Sequence, residues 1–238
     1  MLLFYLRHGD PIYDPDSLTP LGARQAEALG KRLAEYGLDE IYASSSTRAQ
    51  LTARPTCEML KMEPTILPWA DEKYCWAQLA NQCPDGRGRW VFQQADKIPL
   101  LASNEVRALG RKWYDHPYFA GTTYKEGIER VQGEADRWLA GFGYEHDLER
   151  NMYLCRDTSP RRVALFAHQG FGLAFLSCVL DVPYSQFSIH FDMTHSGMSV
   201  IWFPEEEGWV APKLLQLSGD GHLYREGLPT RYNNRLRF

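Results

Sequence analysis

A three-layer α/β/α sandwich around a mostly parallel central sheet is the fold class this sequence predicts, and three observations predict it. Residues 2–6 (LLFYL) and 163–167 (VALFA) are apolar throughout, the pattern of strands buried on both faces. Each run is followed by a stretch with helical spacing, and strands alternating with helices imply parallel pairing with crossovers. Between about residues 73 and 145 the alternation fails in a tract rich in Trp, Tyr, Pro and Gly. That tract reads as a helical and irregular insertion within a single domain spanning residues 1–238.

The elements follow in order. After the first strand, Thr19 offers an N-cap hydroxyl and Pro20 fits the first helical position; Ala26, Leu29 and Leu33 mark an apolar face up to a stop at Gly37. Glu27 and Lys31 stand in the i,i+4 order that favours an ion pair. Residues 41–43 form a second short strand. The hydroxyl-rich SSSTRAQLTARP then runs into a helix with Arg48 in its first turn, where Pro55 predicts a kink or a fresh start. Residues 65–67 suit a third strand. Ile128, Val131, Ala135, Trp138 and Phe142 return at helical spacing. Residues 163–167 then lead through a turn at 168–170 into an apolar helix ending near Leu180, and 197–203 and 209–217 supply two further strands.

Composition narrows the function classes. The chain has 238 residues, 44% hydrophobic and 24% charged, enough to bury a substantial core. A net charge of −4 gives no basic footprint for nucleic acid or an anionic membrane. No apolar run approaches the roughly 18 residues a spanning helix needs, and residues 2–6 have neither a basic region before them nor a cleavage site. The five cysteines are scattered and never form a CxxC pair, which argues against a zinc cage or a disulfide framework and for a reducing, cytoplasmic setting.

Chemistry gathers at strand ends. Arg7-His8 and His168 each follow a buried strand directly, and Arg48 follows another at the start of a helix. The carboxyl ends of strands are where open α/β sheets bind ligands, so these four side chains should share one crevice. A phosphoryl group would use all of them: guanidinium forks match its oxygens, and a histidine with a pKa near 6.5 keeps a lone pair for phosphorus while its other nitrogen donates to a carbonyl. Gly9 would let the chain turn sharply and bring backbone N–H groups to the anion. His195, in THSGMS, falls near the rim of this crevice. Arg87 and Arg89 suit a solvated loop better than a second anion site. His116 and His146 have no ligand-like spacing with nearby acids or cysteines, so no metal is expected, and His222 reads as structural.

The stretches LRHGDPIYDPDSLTPLGARQAEALGKRLAE, LDEIYASSSTRAQLTA and VALFAHQGFG together resemble the histidine phosphatase superfamily, also called phosphoglycerate mutase-like. The match covers roughly residues 2–60 and 162–180, with a fainter echo in LSGDGHL. The resemblance implies that Arg7, Arg48 and His168 hold the phosphoryl group and that His8 becomes transiently phosphorylated, with no metal or organic cofactor. It also implies a carboxylate acid after the third strand, where LPWADEKYCW offers Asp71 and Glu72. Glu72 fits better, although the Gly-x-Trp-Glu-Gly continuation of the pattern is absent. Asp10-Pro11-Ile12-Tyr13 replaces the Ser-x-Trp-Asn run of mutase relatives, which favours hydrolysis of a small phosphorylated substrate over transfer. The alternatives are a mutase-like phosphotransferase and a non-catalytic phospholigand-binding relative; the complete set of catalytic residues argues against the latter. A free sheet edge would allow two copies to pair as a homodimer.

Overall fold

The computed structural model describes residues 1–83, 85–234 and 236. In chain order these build β1 (Leu2–Arg7), the hairpin β2 (Pro11–Tyr13) and β3 (Asp16–Leu18), α1 (Pro20–Tyr36), β4 (Glu40–Ser44), α2 (Thr47–Leu60), β5 (Thr65–Leu67) and α3 (Glu72–Leu79). There follow β6 (Ala80–Gln82), β7 (Gly88–Trp90), the short helices α4 (Ile98–Leu101) and α5 (Asn104–Ala108), and α6 (Tyr124–Ala140). The chain continues through β8 (Tyr144–Asp147), β9 (Met152–Cys155), β10 (Arg162–Ala167), α7 (Gln169–Val179) and α8 (Tyr184–His190). It ends with β11 (Met198–Trp202), β12 (Gly208–Val210), β13 (Lys213–Gly219) and α9 (Gly221–Arg225).

The central sheet runs β13-β11-β1-β10-β4-β5. Its β1, β10, β4 and β5 are parallel, whereas β11 pairs antiparallel with the far side of β1 and β13 pairs antiparallel with β11, returning to the direction of β1. The alternation within β1 divides it between two cores: Leu3 and Tyr5 pack with α6 and α7 residues such as Val131 and Phe175, and Phe4 and Leu6 pack with Leu29 and Leu33 of α1. β10 divides likewise, with Val163 and Leu165 on one face and Ala164 and Phe166 on the other. Burying both faces of these strands is the main driving force for the sandwich, at about 25 cal/mol per Å² of apolar surface removed from water. Among the described residues, no helix is long and apolar enough to cross a membrane.

The helix signals in the sequence correspond closely to the structure. Thr19 caps α1 by accepting the Gly22 N–H, and Gly37 ends it at φ 71°. Ser46 caps α2 by accepting the Ala49 N–H. Three expectations fail. Pro55 does not start a new helix, because it lies inside one continuous helix, where it packs on Gly30 of α1. Lys31 pairs with Glu226 at 3.0 Å across to the turn after α9 instead of with Glu27. The strand expected over 209–217 is two strands: β12 pairs with β9 in a separate three-stranded sheet, and β13 lies at the edge of the central one. Pro212, which has no N–H for a ladder, falls between them.

Candidate active site

Parallel pairing of β1 with β10 places the two histidines side by side. Arg7 lies opposite Ala167, the His8 N–H donates to the Ala167 carbonyl at 2.9 Å, and the two imidazole centroids are 5.2 Å apart. His8 Nδ1 donates to the Gly9 carbonyl at 2.8 Å, so the lone pair is left on Nε2. Burial, reinforced by the positive fields of His168, Arg7 and Arg48, pushes the His8 pKa well below that of a free imidazole. The ring is therefore neutral near pH 7, as a nucleophile requires.

His168 follows β10 directly and stands at the N-cap of α7. Its Nε2 meets Ser44 Oγ at 2.8 Å and Ser46 Oγ at 3.3 Å. Ser44 Oγ also accepts the Ser46 N–H, and among the described residues His168 Nε2 is the acceptor within reach of its own proton. The imidazole proton is thereby placed on Nδ1, a buried donor with no partner, 3.9 Å from Glu72 Oε2. Burial and the two arginines lower the His168 pKa as well.

The two arginines are held by different partners. Arg7 is fully buried; its Nη1 donates to the Met193 carbonyl and its Nη2 to Asn233 Oδ1 at 2.6 Å, while Nε has no partner. Arg48 gives Nη1 to Asp16 at 2.8 Å and Nη2 to Glu72 at 3.4 Å, again with Nε unpartnered, and the Tyr13 ring lies 5.5 Å from its Cζ. Buried donors left open are costly unless a ligand takes them. Three such donors, Arg7 Nε, Arg48 Nε and His168 Nδ1, belong to the side chains gathered around His8. His8, Glu72 and His168 also offer ligand atoms within 4.8 Å of one another, a spacing a metal ion could use. The two guanidiniums share that space, so the field there favours an anion over a cation.

Glu72 is the first residue of α3, and its Oε1 accepts the Gly170 N–H at 2.8 Å. Burial raises its pKa, against the lowering effect of Arg48, the Gly170 bond and Arg7. Asp71 is differently employed: it caps α3 through the Lys73 N–H at 3.1 Å and accepts Ser45 Oγ at 2.8 Å. His195 is buried rather than at the rim, its ring 6.1 Å from that of His8, with Asp10 at 3.0 Å from Nδ1 and Asn233 at 3.0 Å from Nε2. Burial and the Arg7 charge push its pKa down to about 4, although Asn233 and Asp10 oppose this.

Gly9 has a different use from the one its sequence position suggested. Its N–H is taken by Thr52 Oγ1 at 3.0 Å, and a Cβ there would sit 2.6 Å from the Gly22 carbonyl oxygen. Close packing of the β1 tip on α1 explains this glycine, not an amide aimed at an anion. Arg89 lies half-buried within β7 and pairs with Asp85, while Arg87 is exposed on the loop before it. His146 departs from expectation: it lies between Asp136 at 2.8 Å and Asp181 at 3.0 Å. Sequence reasoning missed Ser44, Ser46, Asp10, Asp16, Tyr13 and Asn233. The run of serines after β4 was a usable signal for the first two; nothing local marks Asn233, which reaches Arg7 from the far end of the chain.

The model of the histidine phosphatase superfamily (branch 1) matches residues 4–214. Among curated proteins, none matches the sequence. Solved structures similar to the chain include a mycobacterial glucosyl-3-phosphoglycerate phosphatase in complex with inorganic phosphate (19% identity, 93% of this chain and 98% of that one, TM-score 0.59). A phosphoserine phosphatase from Entamoeba histolytica in complex with 3-phosphoglyceric acid has 16% identity over 93% and 98% of the two chains, with a TM-score of 0.58. The alpha-ribazole phosphatase from Shigella flexneri has 18% identity over 92% and 97%, also with a TM-score of 0.58. At such identities the likeness is one of fold, and it agrees with the mixed sandwich described above.

Proposed function

The chain belongs to the histidine phosphatase superfamily (branch 1), and from that membership we propose that it hydrolyses phosphomonoesters through a phosphohistidine on His8. The observation that carries this reading is the set of unpartnered donors, Arg7 Nε, Arg48 Nε and His168 Nδ1, around the free Nε2 of a neutral His8. A phosphoryl group seated among them would satisfy all three, and their charges and N–H groups would stabilise its equatorial oxygens as they gain charge.

In the first step His8 Nε2 forms a bond to phosphorus as the ester P–O bond breaks, and Glu72 passes its proton to the departing alkoxide. In the second, water adds to phosphorus with loss of a proton to Glu72, the P–N bond breaks, and inorganic phosphate leaves with His8 neutral again. Burial raises the Glu72 pKa, the direction that helps the carboxyl hold the proton it gives in the first step and takes back in the second. Asp71, already holding the α3 N-terminus and Ser45, is not free for that work. All five cysteines are unbonded, which supports a reducing, cytoplasmic location. We take residues 1–238 as one domain, with the segment 73–145 as the cover of its site.

The test is hydrolysis of 4-nitrophenyl phosphate in chelator-treated buffer by the wild type and by His8→Ala. Turnover that vanishes in the variant, with an acid-labile phosphoenzyme trapped in the wild type, is the expected result. Undiminished turnover in His8→Ala would overturn the nucleophile assignment. Exchange of the phosphoryl group between alcohols with no net phosphate release would favour a mutase-like transferase.

A further inference from the structure

The cleft above the phosphoryl site, about 740 Å³ in volume, has an aromatic wall that begins at the general acid. Glu72 Oε1 is held by the Gly170 N–H, and the buried Trp90 indole lies so close over Gly170 that a Cβ there would be 2.2 Å from Trp90 Cζ2. Trp76 meets Trp90 edge to face, with centroids 5.0 Å apart and planes at 88°, and keeps 42% of its surface open. Glu72 and Trp76 are one turn apart on α3 and so share a helix face. Tyr13, 60% exposed, lines the same cleft and covers the Arg48 guanidinium. An alcohol oxygen that takes its proton from Glu72 therefore has its carbon substituent beside indole and phenol surface.

Charge points the same way. Among the described residues lining the cleft, the cations are Arg48 and Lys73, and each already has carboxylates: Asp16 and Glu72 for Arg48, Asp71 at 3.7 Å for Lys73. With Glu72 carrying the proton it donates, Asp16 and Asp71 balance these two cations, and among the described lining residues no unpaired cation is left to receive an acidic group on the leaving alcohol. We propose that this half of the cleft selects phosphomonoesters of uncharged alcohols that carry a flat aromatic ring. The proposal rests on the hydrolase reading for the direction in which the ester lies. The rings give stacking and edge contacts, and a carboxylate placed there would lose its hydration without a free cation to pair with.

Binding to the His8→Ala protein tests this without turnover. Calorimetry with 2-phenylethyl phosphate, n-butyl phosphate and 3-phosphoglycerate compares an aromatic, an aliphatic and an acidic alcohol portion. The aromatic ester should bind roughly tenfold more tightly than the butyl ester, and 3-phosphoglycerate more weakly than either. Adding Trp76→Ala should bring the first two esters within about twofold of each other, while Trp76→Phe should keep most of the gap. A preference for 3-phosphoglycerate, or an aromatic-to-butyl ratio unmoved by Trp76→Ala, would overturn the assignment. Wild-type hydrolysis of 4-nitrophenyl phosphate is scored separately. Aromatic preference without hydrolysis would sink the enzymatic reading and leave the subsite standing; hydrolysis without the preference would do the reverse.

Discussion

Replacing Glu72 with glutamine isolates the proton that the proposed mechanism needs. The substitution is nearly isosteric: the side-chain oxygen can still accept the Gly170 N–H now bonded at 2.8 Å, so α3 and the aromatic wall stay in place. What is lost is the titratable proton and the 3.4 Å charge contact with Arg48. A positioned general acid contributes roughly 10²–10⁴ in rate, about 3–5 kcal/mol of barrier. The upper half of that range applies here, because the other two carboxylates lining the cleft among the described residues are engaged, Asp71 with Ser45 and Lys73 and Asp16 with the Thr47 N–H and Arg48. The assay pairs two substrates in a rapid-mixing experiment. An alkyl phosphate, whose alkoxide cannot leave unprotonated, should lose nearly all turnover. With 4-nitrophenyl phosphate, whose phenolate leaves without help, the variant should release a burst of about one equivalent and then stall, since water activation also needs the carboxylate. In the wild type, the rate on alkyl esters should fall as pH rises through the raised Glu72 pKa, because the acid form is the active one; that limb should vanish in the variant. Turnover of the alkyl ester within about threefold of wild type would refute the assignment.

Other expectations follow from the same geometry. Ser44→Ala removes the hydroxyl that keeps the His168 proton on Nδ1, and kcat/KM should drop about tenfold, seen in steady-state kinetics on any ester. Gly9→Ala drives a Cβ to 2.6 Å from the Gly22 carbonyl; overpacking of about 1–3 kcal/mol should lower Tm by several degrees in a thermal melt. Burial pushes the His146 pKa down, but Asp136 and Asp181 outweigh it and raise the value to about 9, so the stabilisation is complete below the ordinary histidine pKa and is lost as pH climbs through 9. The shift corresponds to at most about 3 kcal/mol, reduced by solvent screening to roughly 1–2 kcal/mol. Urea unfolding between pH 6 and 10 should register that loss in the wild type and not in His146→Gln.

The parts of the fold legible in the sequence were those set by local rules. Thr19, Pro20 and Gly37 bound α1 because caps and proline act on their own turn. The strand ends bearing Arg7, His8 and His168 were legible because strands buried on both faces are continuously apolar. What escaped was fixed by contacts distant in sequence. Lys31 found Glu226, and His146 found Asp181 from the turn after α7. Pro55 stayed within α2 because tertiary packing on Gly30 outweighed its propensity. Asn233 could not be read at all, since its value to the site is a single oxygen placed on Arg7 and His195 by the whole fold.

The position of β1 has a bearing on how the molecule comes to exist. The first strand of the chain sits in the middle of the sheet, with Leu2 paired to Arg162 on one side and to Trp202 on the other. During synthesis at about 5–20 residues per second, LLFYL therefore emerges on the order of ten seconds or more before either neighbour. Such long-range closure makes folding slow, and an apolar strand waiting with two open edges is a ready template for pairing with another chain. Yield in a cell should thus depend on what shields that strand in the interval, and lower growth temperature or more holdase chaperone should raise the soluble fraction without any change to the finished protein.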